Sequence, residues 1–264
     1  MIIYKTKEEI EIMRAGGKLL AEILDKLAKM VKPGVSTGEL EAEAVRLIVS
    51  AGGKPAFKGY KTYAGAKGFP TALCTSINEE IVHAPALPAR ILNEGDIIGI
   101  DVGMEYPFKK DKRGMFTDMA VTVTVGKVDA KVAELISVTK NSLKLAINKV
   151  KPGNTLNDIG SAVEEFVNKA GFSVVRDLVG HGVGKAVHED PQVPNYKIVD
   201  SSMKNYTLKP GMTIAIEPMV NMGTGDIMTA DDGFTFITED NGLSAHFEHT
   251  VAVTEKGCVV LTEL

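Results

Sequence analysis

Two stretches of this 264-residue chain repeat each other, and the repeat falls on acidic residues. Ile98-Gly99-Ile100-Asp101-Val102 is answered by Ile214-Ala215-Ile216-Glu217-Pro218. Asp118-Met119-Ala120-Val121-Thr122-Val123-Thr124 is answered by Glu248-His249-Thr250-Val251-Ala252-Val253-Thr254. Each acid interrupts or borders a strand-like apolar run. Solvation at a strand end would explain any one of them, but not their duplicated placement. Four carboxylates brought into one interior repel each other, and buried charge must be paired or must hold a metal. The pattern calls for two similar halves built around a site for two divalent cations.

The repeat extends well beyond the acids. Val31-Lys32-Pro33-Gly34 recurs as Val150-Lys151-Pro152-Gly153, and Ala51-Gly52 recurs as Ala170-Gly171. Before each Pro-Gly lies a stretch with apolar residues at helical spacing: Met13, Leu20, Ile23, Leu24 and Leu27 in the first half, Val132, Leu135, Ile136, Leu143 and Ile147 in the second. Thr6 and Glu9 have capping-box spacing at the start of the first helix. Each half thus reads helix, turn, helix, then strands carrying the acids. Strands are expected near 96–103, 117–125, 212–220, 234–237 and 245–254. The fold class is α/β (α+β), with antiparallel sheets covered by helices. One catalytic domain over 1–264 is expected, with half-repeats at about 6–126 and 127–256.

A net charge of −4 argues against a broad nucleic-acid surface, so no DNA partner is expected. No apolar run approaches the roughly 18 residues of a membrane span, and residues 1–9 lack a signal-like apolar core. A cytoplasmic protein with no membrane association is expected. Two cysteines, Cys74 and Cys258, do not make a disulfide scaffold.

All five histidines lie in or near the acidic motifs: His83, His181, His188, His246 and His249. His181 is framed by glycines in Gly180-His181-Gly182-Val183-Gly184, which lets backbone approach closely. Two tempting motifs fail. Residues 180–185 lack the spacing and the Ser or Thr of a phosphate loop, and Gln192 stands where a zincin helix needs its second histidine.

Taken together, Asn78-Glu79-Glu80-Ile81-Val82-His83, Ile100-Asp101-Val102, Thr117-Asp118, the 180–184 motif, His188-Glu189-Asp190-Pro191, Ile216-Glu217-Pro218-Met219 and Phe247-Glu248-His249-Thr250 resemble the type I methionine aminopeptidase family. The resemblance runs from about Thr6 to Leu261. It implies the pita-bread (creatinase/aminopeptidase) fold, in which two pseudo-symmetric halves enclose a dinuclear metal site. It implies five ligands, Asp101, Asp118, His181, Glu217 and Glu248, with Asp118 and Glu248 bridging. A donor set this rich in oxygen suits cobalt, manganese, iron or zinc. The implied activity is hydrolytic removal of the initiator methionine from peptides and nascent polypeptides, preferring a small second residue. His188 would stabilise the oxyanion, Glu217 would shuttle the proton, and His83 would contact substrate near the scissile bond. Phe69, Cys74 and Phe234 would form the methionine pocket, and a monomer is expected.

Some positions depart from the family pattern. Phe234 stands where many members carry Trp, and His246 where Gln is more common. The basic insert at 106–114 reads as a solvated hairpin tip; a transient contact with ribosomal RNA is the sharper alternative. The insert also puts Asp111 in competition with Asp118, and the repeat with Glu248 favours Asp118. Proline-specific aminopeptidases and dipeptidases share the implied fold but usually carry an extra N-terminal domain. A metal-free binding module on this fold would lose ligands, and all five ligand types are present.

Overall fold

The computed structural model describes residues 1–199 and 203–264. Its four helices fall where the periodicity places them: α1 (Lys7–Met30), α2 (Thr37–Ser50), α3 (Ala130–Asn148) and α4 (Leu156–Lys169). Thr6 and Glu9 form the expected capping box on α1. Ser36 with Glu39 and Thr155 with Asp158 form matching boxes on α2 and α4, so each half starts its second helix by reciprocal satisfaction of free N–H groups.

The duplication reaches the backbone. Gly34 and Gly153, each following the turn proline, have φ of +89° and +91°. Both donate N–H to a leucine carbonyl, of Leu92 and Leu208 respectively. Beyond α2 and α4, Gly52 and Gly171 both have φ of +80°. Non-glycine residues resist this left-handed conformation, so the same residue type recurs at the same bend.

A nine-stranded sheet runs through both halves. In order it contains Lys54–Pro55, Ile97–Tyr106, Met115–Thr124, Glu248–Val253, Thr213–Ile216, Gly180–Gly182 and Glu189–Val193. Leu73–Ile77 also pairs with Ile97–Tyr106, and Cys258–Val260 with Glu248–Val253. All of these pairings are antiparallel. The halves join where Met115–Thr124 meets Glu248–Val253, with Glu248 opposite Ala120 and His249 opposite Met119.

Strand periodicity separates the two faces of this sheet. Ile98, Ile100, Val102 and Met104 pack with α1 and α2 in one cluster. Ile214, Ile216, Val251 and Val253 pack with α3 and α4 in another. The intervening residues, including Asp101, Asp118, Ala120, Ala215 and Glu248, turn to the opposite face. That face carries a third cluster with Phe57, Phe69, Cys74 and Phe116. Both faces are therefore covered, and the acids lie on the face away from the helices.

Two expected strands are broken. The run 212–220 divides into Thr213–Ile216 and Met219–Asn221, and 245–254 divides into Ser244–His246 and Glu248–Val253. Pro218 has no N–H to continue the ladder. The short segments beyond the break leave the main sheet and form a three-stranded sheet with Ser173–Val174. Glu217 sits at the break.

Gly16 and Gly17 bring α1 onto its neighbours. A Cβ on Gly17 would lie 2.2 Å from the Leu261 carbonyl oxygen, and one on Gly16 would lie 2.9 Å from Tyr106 Cβ. Alanine is favoured over glycine in a helix by about 1 kcal/mol, yet Gly17→Ala is expected to lose about 1–3 kcal/mol by overpacking. Urea unfolding measures this; a midpoint at or above that of the parent contradicts the packing.

Candidate active site

Register alone brings the acids together. Cys74 is opposite Asp101, Asp101 is opposite Ala120, and Ala120 is opposite Glu248. Asp118 lies two residues from Ala120 on the same strand, hence on the same face. Its backbone N–H donates to Thr250 Oγ1, which in turn donates to the Asp118 carbonyl, both at 2.9 Å. This clasp locks the seam between the halves beside the acids. His181 precedes Gly182, which pairs with Ile214.

Among the described residues, ligand atoms of Asp118, His181 and Glu248 lie within 4.8 Å of one another. Asp101 lies beside Asp118 and across from Cys74, and both act on its carboxyl. Glu217 lies between two imidazoles, with Oε1 3.5 Å from His181 Nε2 and Oε2 3.5 Å from His246 Nε2. His181 Nδ1 is 2.9 Å from the Gly182 carbonyl. A carbonyl only accepts, so Nδ1 carries the proton and Nε2 offers its lone pair to the cluster.

The electrostatics call for cations. Burial pushes Asp101 and Glu248 well up from the carboxylate range, and Asp118 adds to both shifts. Asp118 is pushed up to about 7 by burial and by Glu217. Burial alone pushes Glu217 up to about 8. Burial lowers His181 and His246 to about 3, which keeps them neutral. Asp101 Oδ1, Glu248 Oε1 and His246 Nε2 are buried without a hydrogen-bond partner. Orphaned carboxylate oxygens beside an aimed imidazole lone pair fit a divalent metal of the oxygen- and nitrogen-binding kind.

A cavity of about 910 Å³ opens over this cluster. Every residue to which the family resemblance gives a site role lines it: His83, Asp101, Asp118, His181, His188, Glu217 and Glu248, with Phe69, Cys74 and Phe234. Phe69 meets Phe234 edge-on at 5.5 Å and Phe57 at 6.5 Å. His188 is open to the cavity, its ring 4.4 Å from that of His181 and 4.8 Å from that of Tyr60. His83 has φ of +62° just after the Glu80–Val82 strand, and its ring meets Phe236 at 5.6 Å. This left-handed bend aims the side chain into the cavity rather than along the sheet. The sequence reading missed Phe57, Tyr60 and Lys67, whose ammonium lies 5.0 Å from the Phe234 ring centre. The spacing of aromatics among glycines over 57–69 was the available signal. The basic insert lies at a hairpin tip, where Tyr106 pairs with Met115 and residues 108–113 are exposed.

A twofold repeat that buries acids and imidazoles beneath an aromatic-walled cavity is the architecture of a metal-dependent peptidase. The sequence profile of metallopeptidase family M24 matches residues 11–255. A methionine aminopeptidase of Aquifex aeolicus is 44% identical over 259 residues, covering 98% of each chain. Methionine aminopeptidase 1 of Bacillus subtilis is 43% identical over 265 residues, covering all of both chains. The crystal structure of a methionine aminopeptidase from Thermotoga maritima superposes with a TM-score of 0.91 at 41% identity, over all of both chains. The chain therefore belongs to metallopeptidase family M24, and within it to the methionine aminopeptidases. A Pyrococcus horikoshii prolidase, 22% identical with a TM-score of 0.74, shares the pita-bread fold; this chain covers 64% of its length.

Metal removal has a signed consequence for stability. A carboxyl whose pKa is raised in the fold holds a proton that the unfolded chain has lost, so stability falls as pH rises toward the folded pKa. The lowered histidines act in the opposite sense, but only below about pH 6.5, where the unfolded imidazole still binds a proton. From about pH 6.5 to 9, the chelated protein should lose thermal stability as Asp118 and Glu217 ionise through about 7 and 8. Excess Mn(II) should flatten that slope. Calorimetry of both forms checks this; a chelated protein that gains stability relative to the loaded form across the window contradicts it.

Proposed function

We propose that this chain removes N-terminal methionine from peptides and nascent polypeptides whose second residue is small, acting as one catalytic domain over 1–264 with half-repeats 6–126 and 127–256. The observation that carries this reading is the register row Asp101–Ala120–Glu248 with Asp118 beside it, opening into an aromatic cavity. Asp101, Asp118, His181, Glu217 and Glu248 would hold two divalent ions drawn from cobalt, manganese, iron or zinc, with Asp118, His181 and Glu248 grouped most tightly. Bound divalent metal supplies Lewis acidity and brings the pKa of a water near neutrality.

The remaining steps belong to the chain's own groups. Glu217, as the ionised carboxylate beside the metal site, accepts the proton of the attacking water and passes it to the leaving amine nitrogen. His188, open to the cavity, donates a hydrogen bond to the carbonyl oxygen as negative charge develops on it. His83 contacts the substrate backbone on the other side of the scissile bond. Phe69, Phe234 and Cys74 receive the methionine side chain, whose polarizable sulfur suits aromatic and thiol neighbours. Burial pushes the Cys74 thiol up, so it is a neutral wall rather than a nucleophile. We assign the chain to the cytoplasm as a monomer; none of the described helices is long and apolar enough to cross a membrane. The exposed basic tip within 106–114 is the part that would touch ribosomal RNA transiently.

Manganese-loaded protein should release methionine from Met-Ala peptides at least tenfold faster than from Met-Lys peptides; equal rates contradict the size selection. His188→Ala should keep its metal content and lose turnover by about 100-fold or more. Elemental analysis beside a peptide assay checks this, and loss of metal would move His188 into the ligand set. Glu248→Ala should lose at least one ion and nearly all activity, whereas full metal content would remove it from the ligands.

A further inference from the structure

We propose that the buried Lys5–Glu189 ion pair is a positioning device for His188, tying the segment before α1 to the loop that carries this imidazole. The proposal rests on the aminopeptidase reading above.

His188 stands at the end of the loop joining strands Gly180–Gly182 and Glu189–Val193. Glu189, the next residue, closes this loop from inside. Its Oε1 accepts from the backbone N–H of Lys185 at 2.5 Å and of Ala186 at 2.9 Å. Its Oε2 accepts from Lys5 Nζ, which also donates to the Ile3 carbonyl at 3.0 Å. The Lys5 side chain is 1% exposed and that of Glu189 4%. Lys5 is itself fixed, because its backbone N–H donates to the Gly211 carbonyl at 2.8 Å, and Gly211 N–H donates to the Val253 carbonyl at 3.0 Å. The tether therefore runs from the central sheet, through Lys5, to the His188 loop. Gly184 leaves room for it: a Cβ there would lie 2.4 Å from Lys5 Cε.

A buried ion pair is a poor source of stability, since desolvation consumes most of its Coulomb gain. What it gives is a fixed geometry. His188 is otherwise steadied by edge contacts with His181 and Tyr60. A misplacement of about 1 Å in such a group can cost about 100-fold in rate.

The test compares Lys5→Met, Glu189→Gln and the double variant with the parent, each loaded with Mn(II), on a Met-Ala peptide. Each single variant should lower kcat about tenfold or more, change KM less than about threefold, and keep its metal content. The double variant should be no slower than the worse single, because both remove one tether. Unchanged kcat with only a lower melting temperature, or additive losses in the double variant, overturns the proposal. Absent turnover in the parent overturns the aminopeptidase reading and this proposal with it, whereas equal turnover in parent and K5M overturns this proposal alone. Hydrogen exchange in the parent keeps the test decisive if the variants do not fold. The Lys185 and Ala186 amides should be protected together with strand Glu189–Val193, and exchange at free-peptide rates rejects the tether.

Discussion

Everything in this structure follows from the burial of four carboxylates against one face of an antiparallel sheet. A sheet with one solvated face could hold them at no cost. Here both faces are covered, by helices on one side and by an aromatic-walled loop layer on the other. Without counter-charge, the acids shift toward the neutral form and leave Asp101 Oδ1 and Glu248 Oε1 unsatisfied. The site is thus arranged for cations, with histidines held neutral by burial and one imidazole turned by a backbone carbonyl to present its lone pair.

Duplication supplies this arrangement economically. Each half folds its own helix pair over apolar strand positions, and the alternation of the strand sends the acid to the far face. Joining the halves through Met115–Thr124 and Glu248–Val253 puts the two acid sets in one row. The Thr250–Asp118 clasp fixes that seam with two hydrogen bonds. The symmetry is incomplete where chemistry needs it to be. The second half breaks its strands at Pro218 and Phe247, so that Glu217 and His246 stand beside the cluster rather than continuing the ladder.

Much of this was legible in the sequence because two independent periodicities agreed. Helical spacing over residues 7–30 and 130–148 and repeated Pro-Gly turns located the helices, and the duplicated acids located the strands that matter. The proposed ligands and His188 stand in motifs of high specificity, and all of them line one cavity. What escaped notice was decided by tertiary geometry. No local signal marks the break at Phe247, because the residue across from it, Pro218, whose carbonyl accepts the Phe247 N–H, is remote in sequence. Tyr60 and Lys67 sit in a glycine-rich loop whose path over the cavity depends on contacts with His188 and Phe234. The Lys5–Glu189 pair joins residues 184 positions apart, a separation at which opposite charges in a sequence carry no pairing information.

Anomalous diffraction from crystals grown with manganese tests the central claim most directly. The account predicts two peaks about 3.5–4 Å apart, bracketed by Asp101, Asp118, His181, Glu217 and Glu248, with oxygens of Asp118 and Glu248 reaching both. Clear density for those side chains with no anomalous peak among them would contradict it.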